Sequence, residues 1–470
     1  MRTIILGAGA AGLQLARRLS EEGKDVALIE RDPDVARVAA NALDCLVVQG
    51  DGSLPEILER AGTSKATHFI ALTGSDELNI VTCSVVAAEH PGTARIARVR
   101  NSYFTKLEPS RRSFMGVDRF VNPDIETARA FIAMVARGPG ESLVRFEDED
   151  LVLRSTRLAP GSSLAGRSLR ESRAALGRNF LAAALEREDG VEVPSGETSP
   201  AAGETLYLLG APADLDAMLG EAPQADERCS KIVIAGGGSI GRYIAEGFLG
   251  TSEGAELGLS RGRGRIFGRK GRRNIVIVER SMETCKLLAR EVPGALVLNR
   301  ELGDEELFLE EGLGDADLFL AVTQDQELNL LTAARAKDAG IRRCLALSEN
   351  NCYSELAARL GVDGVISVKS NVVSSIVEYL RGGALRTLHS FYDRGIKILE
   401  FLVPEGSELH GAAIRDLKLP RGALVIYVNR LGRSALPAGD TRLASGDRLG
   451  IFTSMEAIRG VEELFLGEGR

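Results

Sequence analysis

Short apolar runs alternate with segments of helical periodicity through most of the chain. The first run, Ile4-Ile5-Leu6, ends in Gly7-Ala8-Gly9-Ala10-Ala11-Gly12, and a helix-periodic segment follows. A second run, VALIE, ends in the acid Glu30. Strand, glycine turn, helix, strand and acid, in that order, predict a dinucleotide-binding unit. The order returns in KIVIAGGGSIGRYIAEGF, with Gly236, Gly238 and Gly241, followed by NIVIVER with Glu279.

The later parts of each unit repeat as well. ALTGSDELNI (71–80) comes back as AVTQDQELNL (321–330), an offset of 321 − 71 = 250. The glycines are offset by 236 − 7 = 229 and the acids by 279 − 30 = 249, so twenty residues are inserted between helix and strand of the second unit. Each repeat follows an apolar run (HFIALT, LFLAVT), which puts Thr73 and Thr323 at the carboxyl end of a parallel strand, where open α/β sheets bind ligands. After each unit come short apolar runs divided by Gly, Pro, Asp and Ser, and these also correspond, Gly161 with Gly406. That spacing predicts a small β-rich domain. The expected fold is α/β: two Rossmann-like, doubly wound parallel-sheet domains, each followed by a small α+β (β-rich) domain. The expected boundaries are 1–137, 138–222, 230–383 and 384–470, with a polar linker before the second half.

Composition narrows the function. Length alone, at 470 residues, implies two to four domains, and the apolar fraction of 44% is that of a globular protein. A net charge of −8 disfavours a general nucleic-acid binder. The six Cys form no CxxC and have no nearby His partners, so neither a zinc nor a disulfide framework is expected, and no metal site. No stretch approaches the roughly 20 apolar residues that cross a bilayer, and the expectation is a cytosolic chain without a signal peptide.

The glycine pattern assigns chemistry to single residues. Gly7 permits the tight turn, Gly9 lets backbone approach a pyrophosphate, and Gly12 lets the helix pack on the strand. Ala10 and Ala11 then open a helix whose free N–H groups and dipole favour phosphate. Glu30 sits 30 − 12 = 18 residues on, where a carboxylate accepts ribose hydroxyls, with Arg31 beside it. Gly236, Gly238, Ser239, Ile240, Gly241, Glu279 and Arg280 are the second set. An NAD-dependent oxidoreductase is the alternative reading. It needs a general acid or base at the nicotinamide, yet the four His (68, 90, 389 and 410) read as structural or surface residues, and no GxSxG, GxxxxGK[ST] or HExxH occurs. No catalytic residue is assigned; the nucleotide is expected to be read, not transformed.

The combination of GxGxxG, VxxGDGS, ALTxxDExN and IARVR with a following PGSxLxG domain resembles the RCK (KTN) regulatory domains of potassium channels and transporters. The resemblance covers nearly the whole chain, as two such pairs in tandem. It implies that Asp51, Gly52 and Ser53 lie near an adenosine and that Arg98 and Arg100 approach phosphates. Arg suits that task, with its planar fork and permanent charge. It implies a crossover helix after each Rossmann unit (PDIETARAFIAMVARG and SNVVSSIVEYLRGG) whose exposed apolar face holds subunits together. It also implies a homotetrameric ring, a membrane potassium transporter subunit (TrkH/TrkG-like) as partner, and a peripheral place on the cytoplasmic face of the inner membrane. Control of another cation system, such as a potassium/proton antiporter, is the alternative within the resemblance.

The second half departs from this pattern. VLNRELGDEE stands where VVQGDGS stood, so Glu301 replaces Asp51, and CLALSEN stands where IARVR stood, without an arginine. The second site is expected to handle phosphate charge less well. Neither glycine loop carries an arginine, and carboxylates at Glu30 and Glu279 repel a 2′-phosphate, which disfavours NADPH. NAD/NADH and ATP or ADP are expected to compete for the first site. The insertion holds seven basic residues in Arg261–Arg273, expected to be a solvated loop, with contact to anionic lipid as its functional reading.

Overall fold

The apolar runs of the first third become six parallel strands: β1 (Arg2–Leu6), β2 (Asp25–Glu30), β3 (Leu46–Gln49), β4 (Ala66–Ala71), β5 (Ala94–Arg98) and β6 (Arg119–Val121). Their order across the sheet is β3-β2-β1-β4-β5-β6. Ile4, Ile5, Leu28, Ile29, Phe69 and Ile70 have no exposed surface, as expected of a parallel sheet covered on both faces by helices. The order reverses between β1 and β4, and the crevice for a ligand opens at that reversal, beyond the carboxyl ends of the strands. These observations come from a computed structural model that describes residues 2–136, 143–145, 150–187, 190–219, 230–259, 274–304, 306–349, 353–380, 385–391, 396–407, 409–454 and 456–466. The basic segment Arg261–Arg273 lies outside the described residues.

A five-stranded antiparallel sheet follows: β7 (Leu143–Arg145), β8 (Val152–Arg157), β9 (Phe180–Arg187), β10 (Gly190–Glu192) and β11 (Thr205–Gly210), in the order β10-β9-β11-β8-β7. Both architectures then recur. Strands β12 (Lys231–Ala235), β13 (Asn274–Glu279), β14 (Ala295–Asn299), β15 (Leu318–Ala321), β16 (Arg343–Ser348) and β17 (Gly364–Ser367) pair in the order β14-β13-β12-β15-β16-β17. Strands β18 (Leu385–Phe391), β19 (Ile396–Leu402), β20 (Ala423–Arg430), β21 (Arg433–Ala435) and β22 (Arg448–Ser454) pair in the order β18-β19-β22-β20-β21. Read from the opposite edge, that is the first small sheet again.

Order along the chain is not order in space. One compact unit contains Met1–Ala136 with Asp226–Val377, and the other contains Arg137–Ala225 with Glu378–Arg470. The parallel sheets therefore share a unit, and so do the small ones. In the first unit the crossover helix Pro123–Ala136 buries Ile125, Ala128, Phe131, Ile132 and Val135 in one core with Ile232, Tyr243, Ile244 and Phe248 of the second half. Arg343 donates to the carbonyls of Met134 and Val135 at 2.7 and 3.1 Å. The second crossover helix, Val368–Leu380, faces the other way. Gln14 donates to Ser370 Oγ at 3.3 Å and Arg119 to Ser375 Oγ at 3.1 Å. This corrects the expectation that the first crossover helix exposes its apolar face for another subunit. Two copies in one chain cover that face internally, and each large apolar side chain so buried stabilises by about 1.5–3 kcal/mol.

In the second unit, Leu153, Ala184, Tyr207 and Leu209 of the first small sheet share a core with Ile398, Ile426, Tyr427 and Phe452 of the second.

Candidate functional site

The chain leaves β1 through Gly7 at φ +101°, its N–H donating to the Ile29 carbonyl at 2.8 Å. A Cβ on Gly7 would lie 3.2 Å from the Thr73 nitrogen, and one on Gly12 would lie 2.0 Å from the Gly7 carbonyl oxygen. The fold itself requires these two glycines. Gly9 differs. Its φ of −65° and ψ of 176° suit any residue, and a Cβ there would meet no atom within 4 Å. It precedes the Ala10–Glu21 helix, whose N-terminus has no side-chain cap and where Ala10 is exposed and Ala11 half-buried. The second half repeats every feature: Gly236 at φ +116°, a Gly241 Cβ position 2.0 Å from the Gly236 oxygen, and Gly238 extended and open. Ser239 and Ile240 begin the helix Ser239–Leu249 there, also without a side-chain cap.

Glu30, at the end of β2, accepts from the backbone N–H groups of Ala8 at 2.7 Å and Asp32 at 2.9 Å, one on each oxygen. Glu279 does the same with Gly237 at 2.8 Å and Ser281 at 2.7 Å. Each acid thus pins its glycine loop, a role additional to the ribose contact expected of it. An ionised carboxylate has about four acceptor positions, so capacity is left for a ligand. Arg31 and Arg280 beside them are exposed.

On the other side of the reversal, Asn79 holds the wall together. It is fully buried. Its Oδ1 accepts from Thr73 N–H at 3.0 Å and Oγ1 at 2.7 Å, and its Nδ2 donates to the carbonyls of Thr73 and Arg98 at 3.2 and 2.8 Å. Asn329 makes the corresponding bonds to Thr323 and to the Leu347 carbonyl. Neither asparagine is among the candidate residues read from sequence; their signal was identity at equivalent places in ALTxxDExN and AVTxxQELN. Arg98, half-buried, donates to the Thr73 carbonyl at 2.8 Å, and burial with Arg100 nearby pushes its pKa down. Arg100 is exposed, its backbone N–H held by the Asp76 carboxylate at 2.9 and 3.0 Å. Asp51 accepts the N–H and hydroxyl of Ser53 at 3.0 and 2.8 Å, which holds its carboxyl below the usual range. Gly52 is buried, its Cβ position 2.3 Å from a Leu6 methyl.

A further acid was not read from sequence. Asp124, in the first turn of the crossover helix, faces Arg100 and Arg98, with Ser239 of the second glycine loop nearby. Burial pushes its pKa up while those three neighbours pull it down. The arginine-bearing wall of the first crevice and the second glycine loop therefore come together around one carboxylate.

The second crevice has spent its cation. Arg300, next to exposed Glu301, donates to Glu310 at 2.7 Å, to Glu311 at 3.0 Å and to Asp304, and this company pushes its pKa up. Leu347 stands where Arg98 stands, its carbonyl taken by Asn329 as that of Arg98 is by Asn79, and Glu349 stands where Arg100 does, its N–H donating to Gln326 Oε1 at 3.2 Å. Among the described residues, no group of His, Cys, Asp and Glu could hold a metal ion, and no helix is long and apolar enough to cross a membrane. In chemical terms the first crevice offers uncapped helix N–H groups, acids placed for hydroxyls and two arginines; the second keeps the frame and the acid but lacks those arginines.

Known proteins share this plan. A model of the TrkA-N domain matches residues 3–123 and 264–368, and a model of the TrkA-C domain matches residues 398–466. The Trk system potassium uptake protein TrkA homolog 1 of Methanosarcina mazei is 29% identical over 474 residues, covering 99% of this chain and 100% of that protein. The Trk system potassium uptake protein TrkA of Azorhizobium caulinodans is 28% identical, covering 99% of this chain and 98% of its own. Among solved structures, the GsuK channel bound to NAD matches with a TM-score of 0.53 at 18% identity, over 99% of this chain and 79% of that one. The crystal structure of the GsuK RCK domain gives 0.53 and 18%, over 99% and 95%.

Proposed function

Because the chain belongs to the TrkA family of paired TrkA-N and TrkA-C domains, we propose that it is a nonenzymatic regulatory subunit that reads a nucleotide and gates a potassium transporter. The observation that carries this reading is Gly9 with its counterpart Gly238: nothing among the described residues requires glycine there, and the space left open lies on an uncapped helix N-terminus. A pyrophosphate that approaches backbone supplies the requirement.

In this reading the ligands are NAD/NADH and ATP or ADP, with the phosphates at the Ala10–Glu21 helix and at Arg98 and Arg100, and ribose hydroxyls on Glu30. The NAD in the GsuK channel structure supports the first pair. Glu30 and Glu279 disfavour a 2′-phosphate. The second crevice, without arginines at its wall, takes a less charged nucleotide or holds one weakly. The four domains at 1–137, 138–222, 230–383 and 384–470 belong to the proposal, as does a ring of four chains beneath a TrkH/TrkG-like membrane subunit on the cytoplasmic face. A nucleotide shifts such a ring only by the difference in its affinity for two ring shapes, and a tenfold difference is worth about 1.4 kcal/mol per site.

Calorimetry of the full chain with ATP, ADP, NAD and NADH tests the reading, beside Gly9→Val and Arg98→Ala. Binding that Gly9→Val abolishes and Arg98→Ala weakens most for the nucleotide with the most phosphate charge is the expected result. If none of the four binds, or if NADH is consumed, the proposal fails.

A further inference from the structure

The paired Rossmann halves bury an acid that has no hydrogen-bond partner among the described residues. Glu246, in the helix Ser239–Leu249, is 1% exposed, and among the described residues neither of its carboxylate oxygens has a hydrogen-bond partner. Arg242, one turn earlier, comes to 3.9 Å but gives its guanidinium to Glu291 at 2.7 Å. Buried acids with no partner are rare, because desolvation opposes the charge and a missing hydrogen bond opposes either form.

The place matters as much as the residue. This helix starts at the second glycine loop and carries Tyr243, Ile244 and Phe248 into the core shared with the first half. The short helix Ser252–Glu256 turns back against it, and a Cβ on Gly254 would lie 2.8 Å from the Glu246 carbonyl oxygen. Glu253 of that helix pairs with Lys106 of the first half, so an ion pair spans the two halves beside Glu246. The charged groups facing Glu246 are Arg242, Glu253, Lys106 and Glu291. On the crossover helix, Glu126 and Arg129 pair with each other at 2.7 Å, and Arg129 also donates to the Leu257 carbonyl.

We propose that Glu246 is a proton-operated lock on the contact between the Rossmann halves: protonated, it leaves the Ser239–Leu249 helix seated, and ionised, it drives this segment and Ser252–Glu256 towards an opened form in which the carboxylate reaches water. Burial, with Glu253 and Glu291 adding to it against Arg242 and Lys106, raises the pKa of the seated form to about 7 from 4.5. Below 4.5 both forms hold the proton and the balance is flat. Between 4.5 and about 7 the opened form releases its proton first, so seating weakens as pH rises, and above 7 the balance is flat again. The full swing is on the order of a hundredfold in the ratio of the two forms. The inference does not depend on which nucleotide the crevices take.

Hydrogen exchange on the full chain, corrected for the intrinsic effect of pH, tests it. Protection of Ser239–Leu249 and Ser252–Glu256 should fall at least tenfold from pH 5.5 to pH 8, and Glu246→Gln should remove that dependence while keeping the protection. Two neighbours move the midpoint in opposite directions: Lys106→Met raises it and Glu253→Gln lowers it. A merely structural role makes both variants exchange faster at every pH without moving the midpoint. Should Glu246→Gln fail to fold, those opposite shifts decide the matter. The proposal is overturned by a pH-independent native chain, by a transition that survives in Glu246→Gln, or by midpoints that do not move.

Discussion

A glycine can be required by the chain or by what the chain holds, and the crevices contain both kinds. Gly12→Ala puts a methyl where the Gly7 oxygen lies 2.0 Å away, and should cost about 2 kcal/mol or more in urea unfolding. Gly9→Ala, in open space at φ −65°, should leave stability unchanged or raise it slightly, and weaken nucleotide binding. Asn79→Ala removes bonds to both Thr73 and the Arg98 carbonyl and should cost about 1–3 kcal/mol, also read from urea unfolding. The glycines were legible in the sequence because their spacing encodes a turn, a close approach and a packing contact. Asn79 was not, since a polar residue in a helix ordinarily reads as surface and only its recurrence as Asn329 spoke otherwise. Asp124 was out of reach, because Ser239 comes near it only when the two halves pack.

Periodicity says that a helix has a face to cover; it does not say what covers it. Strands, crossings and both glycine units could be read from apolar runs, while the destination of the crossover helices could not. Gly247 records that destination: a Cβ there would lie 2.3 Å from the Ile132 δ-methyl. Gly247→Ala should therefore destabilise by about 1–3 kcal/mol. Combining it with Ile132→Val, which trims the opposing side chain, should cost less than the two changes summed, and a double-mutant cycle measures the difference. Additivity would mean that the two helices do not touch as described.

At the scale of the whole molecule, the pairing of like domains predicts how the chain behaves when divided. A fragment of residues 1–219 keeps the crossover helix but loses Tyr243, Ile244 and Phe248, which cover Ile125, Phe131 and Ile132. Light scattering should find it self-associated, since the bared apolar face has a second copy of itself to meet. The order of domains along the chain was legible from the repeats. Their pairing was not, because nothing local distinguishes a neighbour in sequence from a neighbour in space. The lone Asp124, reaching from one wall to the other loop, has a consequence for inheritance. In a dimer of identical chains every substitution is written into both crevices at once. Here each crevice has its own text, so the place held by Arg98 in one holds Leu347 in the other, and a single-site change tests one crevice with the other as an internal control.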